Sequence, residues 1–238
     1  MVKKNFTNVR NTNSIFQSTD RIDWSKRING SAEEKKLFSV FDFYLTHSIL
    51  KEKERSGWKK WNVDGRRESV TDHISSAQAL AWGLWSEYEL DVDIFRVIAM
   101  LSVHEEGESI IGDITPYDGE ATLTKPEREK MAVNFICQKL KRGNMIVSLF
   151  DEFEAKETPE AKFAFLCDKL DCDLQAKLYS DSQRCSIKNA TYEMLSNEEI
   201  QKIIKNGAKT VRDVFWEADK HFYEGTFLEE FFNKIKEL

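Results

Sequence analysis

Three prolines in 238 residues are the first constraint on what this chain can fold into. Each proline removes a backbone donor and stops a helix, and the ten glycines add few further breaks. A β-sandwich or barrel needs a turn about every 8–12 residues. This chain lacks that punctuation, so an all-α fold is expected, long enough to bury a substantial core.

Helix signals fall in sequence. Residues 1–30 read as a polar extension with a few apolar positions, Phe6, Ile15, Phe16 and Trp24. Ser31 and Glu34 form a capping-box pattern that opens a helix to about Lys53, with Leu37, Phe41, Tyr44, Leu45 and Ile49 as its apolar face. The stretch ERSGWKKWNVDGRRES reads as a linker. A helix from Val70 to Tyr88 places His73 on its core stripe with Ala77, Leu80, Ala81, Leu84 and Trp85. There it reads as a satisfied core histidine or as a ligand. Asp91 begins the next helix. Thr124 with Glu127 and Pro126 opens another that Gly143 ends, and a short helix covers Met145–Ala155. Thr158-Pro159 opens a long helix with Phe163, Leu166, Leu170, Leu174 and Leu178 inward and Asp168, Asp171 and Gln175 on an adjoining stripe. Ser196/Glu199 and Thr226/Glu229 predict two more starts, with Gly207 and Gly225 as stops. The organisation expected is an extension at 1–30, a core at 31–185, and C-terminal helices at 186–238 packed on it.

Composition excludes several classes of function. The 35 basic and 41 acidic residues give a net charge of −6, and no Lys/Arg cluster tracks a phosphate backbone, so duplex nucleic acid is not an expected partner. No run approaches a membrane span, and MVKKNFTNVR has no apolar signal region. The four cysteines, Cys137, Cys167, Cys172 and Cys185, contain no CxxC pair. These features predict a soluble cytoplasmic protein with its cysteines reduced.

The stretch that carries chemistry is HEEGESIIGDITP, His104 to Pro116, entered by the apolar run Phe95–Val103. On a continued helix His104 and Glu108 share a face one turn apart, with Glu105 nearby. Gly112 lets the chain turn and Asp113 follows. Carboxylates crowded at the end of a buried helix are costly unless something positive sits among them. A metal ion answers that need; a solvated acidic helix end is the plainer alternative.

The order of these pieces is a His, then a His-acid doublet, then a helix-borne Asp. It resembles the HD-domain metal-dependent phosphohydrolases, and more closely their 5'-deoxynucleotidase branch. ERSGW at 54–58, ESVTDH at 68–73, HEEGESIIGDITP at 104–116 and AKFAFLCDKLDCDLQA at 161–176 carry the resemblance. It implies His73, His104, Glu105 and Asp168 as metal ligands, and Glu108 as the acid that activates the attacking water. It further implies Asp113 as a second catalytic carboxylate at the substrate, Arg55 on the phosphate, and Trp58 on the sugar side. One departure stands out: the family doublet is His-Asp, and here it is His104-Glu105.

Two imidazoles with carboxylate oxygens suit Mn²⁺, Co²⁺, Fe²⁺ or Zn²⁺, with Mg²⁺ also admitted. The activity implied is hydrolysis of (deoxy)nucleoside 5'-monophosphates, by a protein for which a homodimer is admitted. Two alternatives stay open. One keeps the metal site but acts on nucleoside triphosphates or alarmones, which Lys59 or Lys125 at the mouth would favour. The other is a nucleotide-binding protein whose site decayed at Glu105.

Overall fold

The computed structural model describes residues 25–115 and 118–238. The readings of residues 1–24, including Phe6, Ile15, Phe16 and Trp24, and of Pro116 lie outside these. In chain order the helices are α1 (Lys26–Asn29), α2 (Ala32–Glu52), α3 (Ser56–Lys60), α4 (Val70–Glu87), α5 (Ile94–Leu101), α6 (Glu108–Ile111) and α7 (Glu120–Leu123). They continue with α8 (Lys125–Cys137), α9 (Gly143–Ala155), α10 (Pro159–Asp181), α11 (Tyr192–Ser196), α12 (Glu198–Lys205), α13 (Val211–Tyr223) and α14 (Glu229–Ile235), with a 3-10 turn at Ile187–Asn189. Among the described residues the fold is all-α; one isolated antiparallel bridge, Glu54 to Ser69, pins together the ends of the α3 segment.

Everything is built around α10, which packs against α4, α5, α9 and α13. Thr158 accepts from the Ala161 N–H at 3.1 Å and Pro159 occupies the first turn, so the start is fixed as expected. Ala161 and Ala164 on α10, with Ala77 and Ala81 on α4, keep the helix faces small where they meet. Phe163, Cys167 and Leu170 then fill the space with Leu84, Val97, Leu101 and Trp216, each large apolar side chain contributing about 1.5–3 kcal/mol by burial. A second core joins Trp58, Trp61 and Val63 to Ala176, Tyr179, Met194 and Val214. Among the described residues no helix is long and apolar enough to cross a membrane.

Several boundaries differ from expectation. Leu45 and Ile49 of α2 are buried with Phe38, but Leu37 and Tyr44 are exposed, because the face turned to the core runs through Phe38, Leu45 and Ile49 and leaves their neighbours Leu37 and Tyr44 outside it. On α10 Leu178 is exposed: steps of four residues drift around a 3.6-residue helix, and the inward stripe passes to Ala176 and Tyr179. Asp93, not Asp91, caps α5, accepting from Phe95 N–H at 3.0 Å and Arg96 N–H at 3.2 Å. Thr124 makes no capping bond, α8 ends at Cys137, and Gly143 begins α9 instead of ending α8. Asn197 caps α12 in place of Ser196. Glu229 accepts from the Gly225 N–H while Thr226 accepts from the Leu228 N–H, so the expected reciprocal box is not formed there. The boxes that do form, besides Ser31/Glu34, are Ser69/Asp72 and Thr210/Asp213, which use Asp where the usual pattern has Glu or Gln.

Candidate metal centre and cleft

The Ser69/Asp72 box fixes the first turn of α4 and thereby aims the fully buried His73 at α10. There it meets two carboxylates three residues apart on one helix face. Its Nδ1 lies 2.7 Å from Asp171 Oδ2 and its Nε2 3.0 Å from Asp168 Oδ1.

The second imidazole arrives differently from expectation. The apolar run does not carry His104 on a continued helix: α5 ends at Leu101, and the chain turns through i to i+3 bonds such as Glu106 N–H to Val103 O and Glu108 N–H to Glu105 O. Residues 103–109 are all buried, so the acidic stretch is an interior turn and not one face of a helix. Gly107 makes this possible, since a Cβ there would stand 3.0 Å from the Glu129 Cα and 2.9 Å from its Cβ. Gly112, at φ 91°, then reverses the chain into Asp113.

The turn sends His104 and Glu105 to the α4–α10 junction. His104 Nε2 lies 3.3 Å from His73 Nε2 and 3.6 Å from Asp168 Oδ1. Glu105 Oε1 lies 3.6 Å and 3.8 Å from the two Nε2 atoms. One ligand atom from each of His73, His104, Glu105 and Asp168 falls within 4.8 Å of all the others. The hydrogen bonds decide what these atoms present. His104 Nδ1–H donates to the Leu101 carbonyl at 2.8 Å, and His73 Nδ1–H donates to Asp171. In the neutral rings both Nε2 atoms then turn lone pairs inward, alongside two carboxylates. Four acceptors meeting in a buried space fit a cation. Without a cation the cluster draws a proton instead: burial and Arg55 push His73 down, but Asp168 and Asp171 prevail and raise it to about 9, so a bound cation would take that proton's place. Burial would raise Glu105, yet His104, Arg55, Lys125 and His73 hold it down to about 2.

This cluster floors a cleft of about 470 Å³ lined by Arg55, Trp58, His104, Glu105, Glu108, Asp113 and Asp168, among others; His73 stands behind it. Arg55 Nη1 donates to Glu105 Oε1 at 2.8 Å and Nη2 to Cys172 Sγ at 3.0 Å. Trp58 is buried; its Nε1–H donates to Glu68 at 2.6 Å and its ring stacks on Phe215. Asp113 accepts from the Ser56 N–H, and Ser56 Oγ donates to the Asp113 carbonyl at 2.9 Å, tying this loop to α3. Glu108 is fully buried and accepts from Lys125 Nζ at 3.1 Å, with Glu129 3.5 Å from the same Nζ. Burial, with Glu105 and Asp113 adding to it, raises the Glu108 carboxyl well above the usual range against Lys125 and Arg55.

All eight candidate residues therefore meet at one place. Sequence reasoning left Asp171 as a mere neighbour, although its i, i+3 spacing from Asp168 was the available signal. In the sequence Lys125 reads only as a cation at the mouth, and neither it nor Glu129 carries a signal for framing Glu108.

An HD domain family model matches residues 48–212, and the chain belongs to this family. Among its relatives is the human 5'-deoxynucleotidase HDDC2, 33% identical over 145 residues that cover 60% of this chain and 69% of the human one. The Schizosaccharomyces pombe 5'-deoxynucleotidase hdd1 is 32% identical over 142 residues, 57% and 70% of the two chains. In fold the protein is similar to a Magnetospirillum magnetotacticum MS-1 protein described as a predicted metal-dependent phosphohydrolase. The TM-score is 0.59 at 23% identity, over 86% of this chain and 92% of the other.

Proposed function

We propose that the protein is a divalent-metal-dependent phosphomonoesterase that hydrolyses deoxynucleoside 5'-monophosphates to nucleoside and phosphate. The observation that carries this is the convergence of four buried acceptor atoms from α4, α10 and the 103–109 turn on the floor of the cleft. The named activity of the relatives supports the substrate class.

His73, His104, Glu105 and Asp168 would hold the ion, with Mn²⁺, Co²⁺, Fe²⁺ or Zn²⁺ the best match to two imidazoles and two carboxylates and Mg²⁺ also admitted. A bound divalent ion polarises a phosphoryl oxygen and acidifies water. The chain's own groups do the rest. Arg55, already at the cluster through Glu105, offers a planar fork to the phosphate. Glu108 takes the proton of the attacking water: burial makes its carboxylate a strong base, and Lys125 beside it partly offsets that rise. Asp113 stands at the substrate with its loop held by Ser56, and Trp58 lines the sugar side.

A monophosphate is favoured over a longer phosphate chain because Lys125 is occupied by Glu108 and Glu129 and Lys59 sits over Glu54. The cytoplasmic reading is supported by four free cysteines. A homodimer rests on the resemblance alone. The test is phosphate release from a panel of nucleotides with Mn²⁺, Co²⁺ and Mg²⁺, together with Glu108→Ala. That variant keeps the metal and loses on the order of 10²–10⁴ in turnover. A Glu108→Ala enzyme as fast as wild type refutes the assignment of the base.

A further inference from the structure

The cleft has a second wall that the family match does not cover. Residues 48–212 match, yet α13 supplies Phe215, Ala218, Asp219 and Phe222 to the lining. Phe215 stacks on Trp58 with ring centroids 5.3 Å apart, and Phe222 meets Phe165 edge-on at 5.2 Å. These contacts make the wall aromatic and hold it in place. In it stands one carboxylate. Asp219 is half-buried and, among the described residues, has no hydrogen-bond or ion-pair partner, only longer-range neighbours. The nearby cation, Lys169, is engaged elsewhere: its Nζ lies 3.1 Å from Asp168 Oδ2 and 5.4 Å from the centroid of the Phe165 ring.

A half-buried carboxylate with no protein donor keeps its oxygens free to accept from a ligand in the cleft, and apolar pockets use such isolated polar groups to fix the orientation of a ligand. We propose that Asp219 accepts a hydrogen bond from a sugar hydroxyl of the nucleotide, the 3'-hydroxyl when the sugar is deoxyribose. This assignment rests on the nucleotidase reading above. Position selects the sugar over the base. On α13 Asp219 stands between Phe215, stacked on Trp58 at 5.3 Å, and Phe222, which meets at 5.2 Å the Phe165 ring one turn before Asp168 on α10. In a 5'-nucleotide the sugar is what adjoins the phosphate, and the base lies beyond it. The aromatic faces of Phe215 and Phe222 then border the nucleoside on either side of the carboxylate, four residues before it and three after, on one face of α13.

The experiment compares kcat/KM for dAMP and for 2',3'-dideoxy-AMP in wild type, Asp219→Ala and Asp219→Asn, with metal content and melting temperature recorded for each. A hydrogen bond to a charged acceptor corresponds to roughly a ten- to hundredfold preference. Wild type is expected to favour dAMP by that factor. Asp219→Ala should bring the ratio close to one by slowing dAMP alone, and Asp219→Asn should fall between. An Asp219→Ala enzyme that keeps the wild-type ratio overturns the assignment. So does one that slows both substrates equally, since Asp219 would then act through Lys169 on the metal site. A ratio that is unchanged while the ranking of dAMP, dCMP and dGMP shifts places Asp219 at the base and removes it from the sugar. A wild type with its metal bound but inert on every deoxynucleotide fails at the nucleotidase reading itself, and this assignment falls with it.

Discussion

Shortening Glu105 by one methylene is the sharpest probe of the metal cluster, because this is where the chain departs from the His-Asp doublet. Glu105 Oε1 stands 2.8 Å from Arg55 Nη1 and 3.6 Å and 3.8 Å from the two imidazole Nε2 atoms. An aspartate on the same backbone ends about 1.5 Å short, while such a site tolerates only about 0.5 Å of looseness. The carboxylate cannot then serve both Arg55 and the ion. Sliding the buried turn to compensate is opposed by Gly107, already packed against Glu129. A loss of about 10–100-fold in metal affinity follows, on the scale seen when the support of a metal ligand is removed, or about 1.4–2.8 kcal/mol. Competition of the protein against a chelator for Mn²⁺ or Co²⁺ measures this directly, with phosphate release as the second readout. The expected order of affinity and activity is wild type, then Glu105→Asp, then Glu105→Ala. An Asp variant that binds metal more tightly and turns over several times faster than wild type refutes the fit. If wild type is also inert on every nucleotide, the protein is a nucleotide binder whose chemistry was lost at this position.

The other predictions are independent of that residue. EDTA should lower the melting temperature and Mn²⁺ or Co²⁺ at about 100 times Kd restore it, since binding to the native state alone gives about 2.7 kcal/mol, or roughly 5–10 °C for a chain of this size; an unmoved transition, with no metal by elemental analysis, removes the site. Asp171→Asn should cost about 10–100-fold in metal affinity while helical content by circular dichroism is kept, because it weakens the acceptor that orients His73; unchanged affinity would show that Asp171 only fills space. Gly107→Ala should destabilise by about 1–3 kcal/mol through overpacking against Glu129, read as a drop of roughly 3–10 °C in Tm; a variant as stable as wild type would mean the turn has slack.

How much of this was legible in the sequence depended on the kind of signal. The long helices were, because Ser31/Glu34 and Thr158-Pro159 are local signals that act within one turn. The chemistry-bearing residues were, because His and carboxylates in an otherwise apolar context are informative wherever the chain later places them. What could not be read was non-local. The stripe holding Asp168 and Asp171 was visible, but nothing local says that Asp171 meets a histidine 98 positions earlier. The apolar run before His104 has the right period for a continued helix. The helix breaks at Leu101 and the turn that follows fits Gly107 against Glu129, a contact across α6, α7 and the first turn of α8. Leu37 and Leu178 look like core residues by spacing alone and are exposed because the buried face passes to their neighbours Phe38 and Tyr179.

The helix α13 has a consequence for how a protein like this can change. Tyr223 on it donates to the fully buried Asp173 of α10 at 2.6 Å, and Val211, Val214 and Trp216 are buried beside it, so the cleft wall is bolted to the same helix that carries Asp168. The HD match stops at residue 212, one residue after α13 begins. Reaction machinery and most of this wall therefore occupy separate stretches of sequence while sharing one rigid support. Substitutions at Phe215, Asp219 or Phe222 can retune which molecule is accepted without touching the atoms that cleave it. A chain trimmed to the matched span would lose more than its jaw, since Trp216, Tyr223, Leu228 and Phe232 belong to the same core that backs α10.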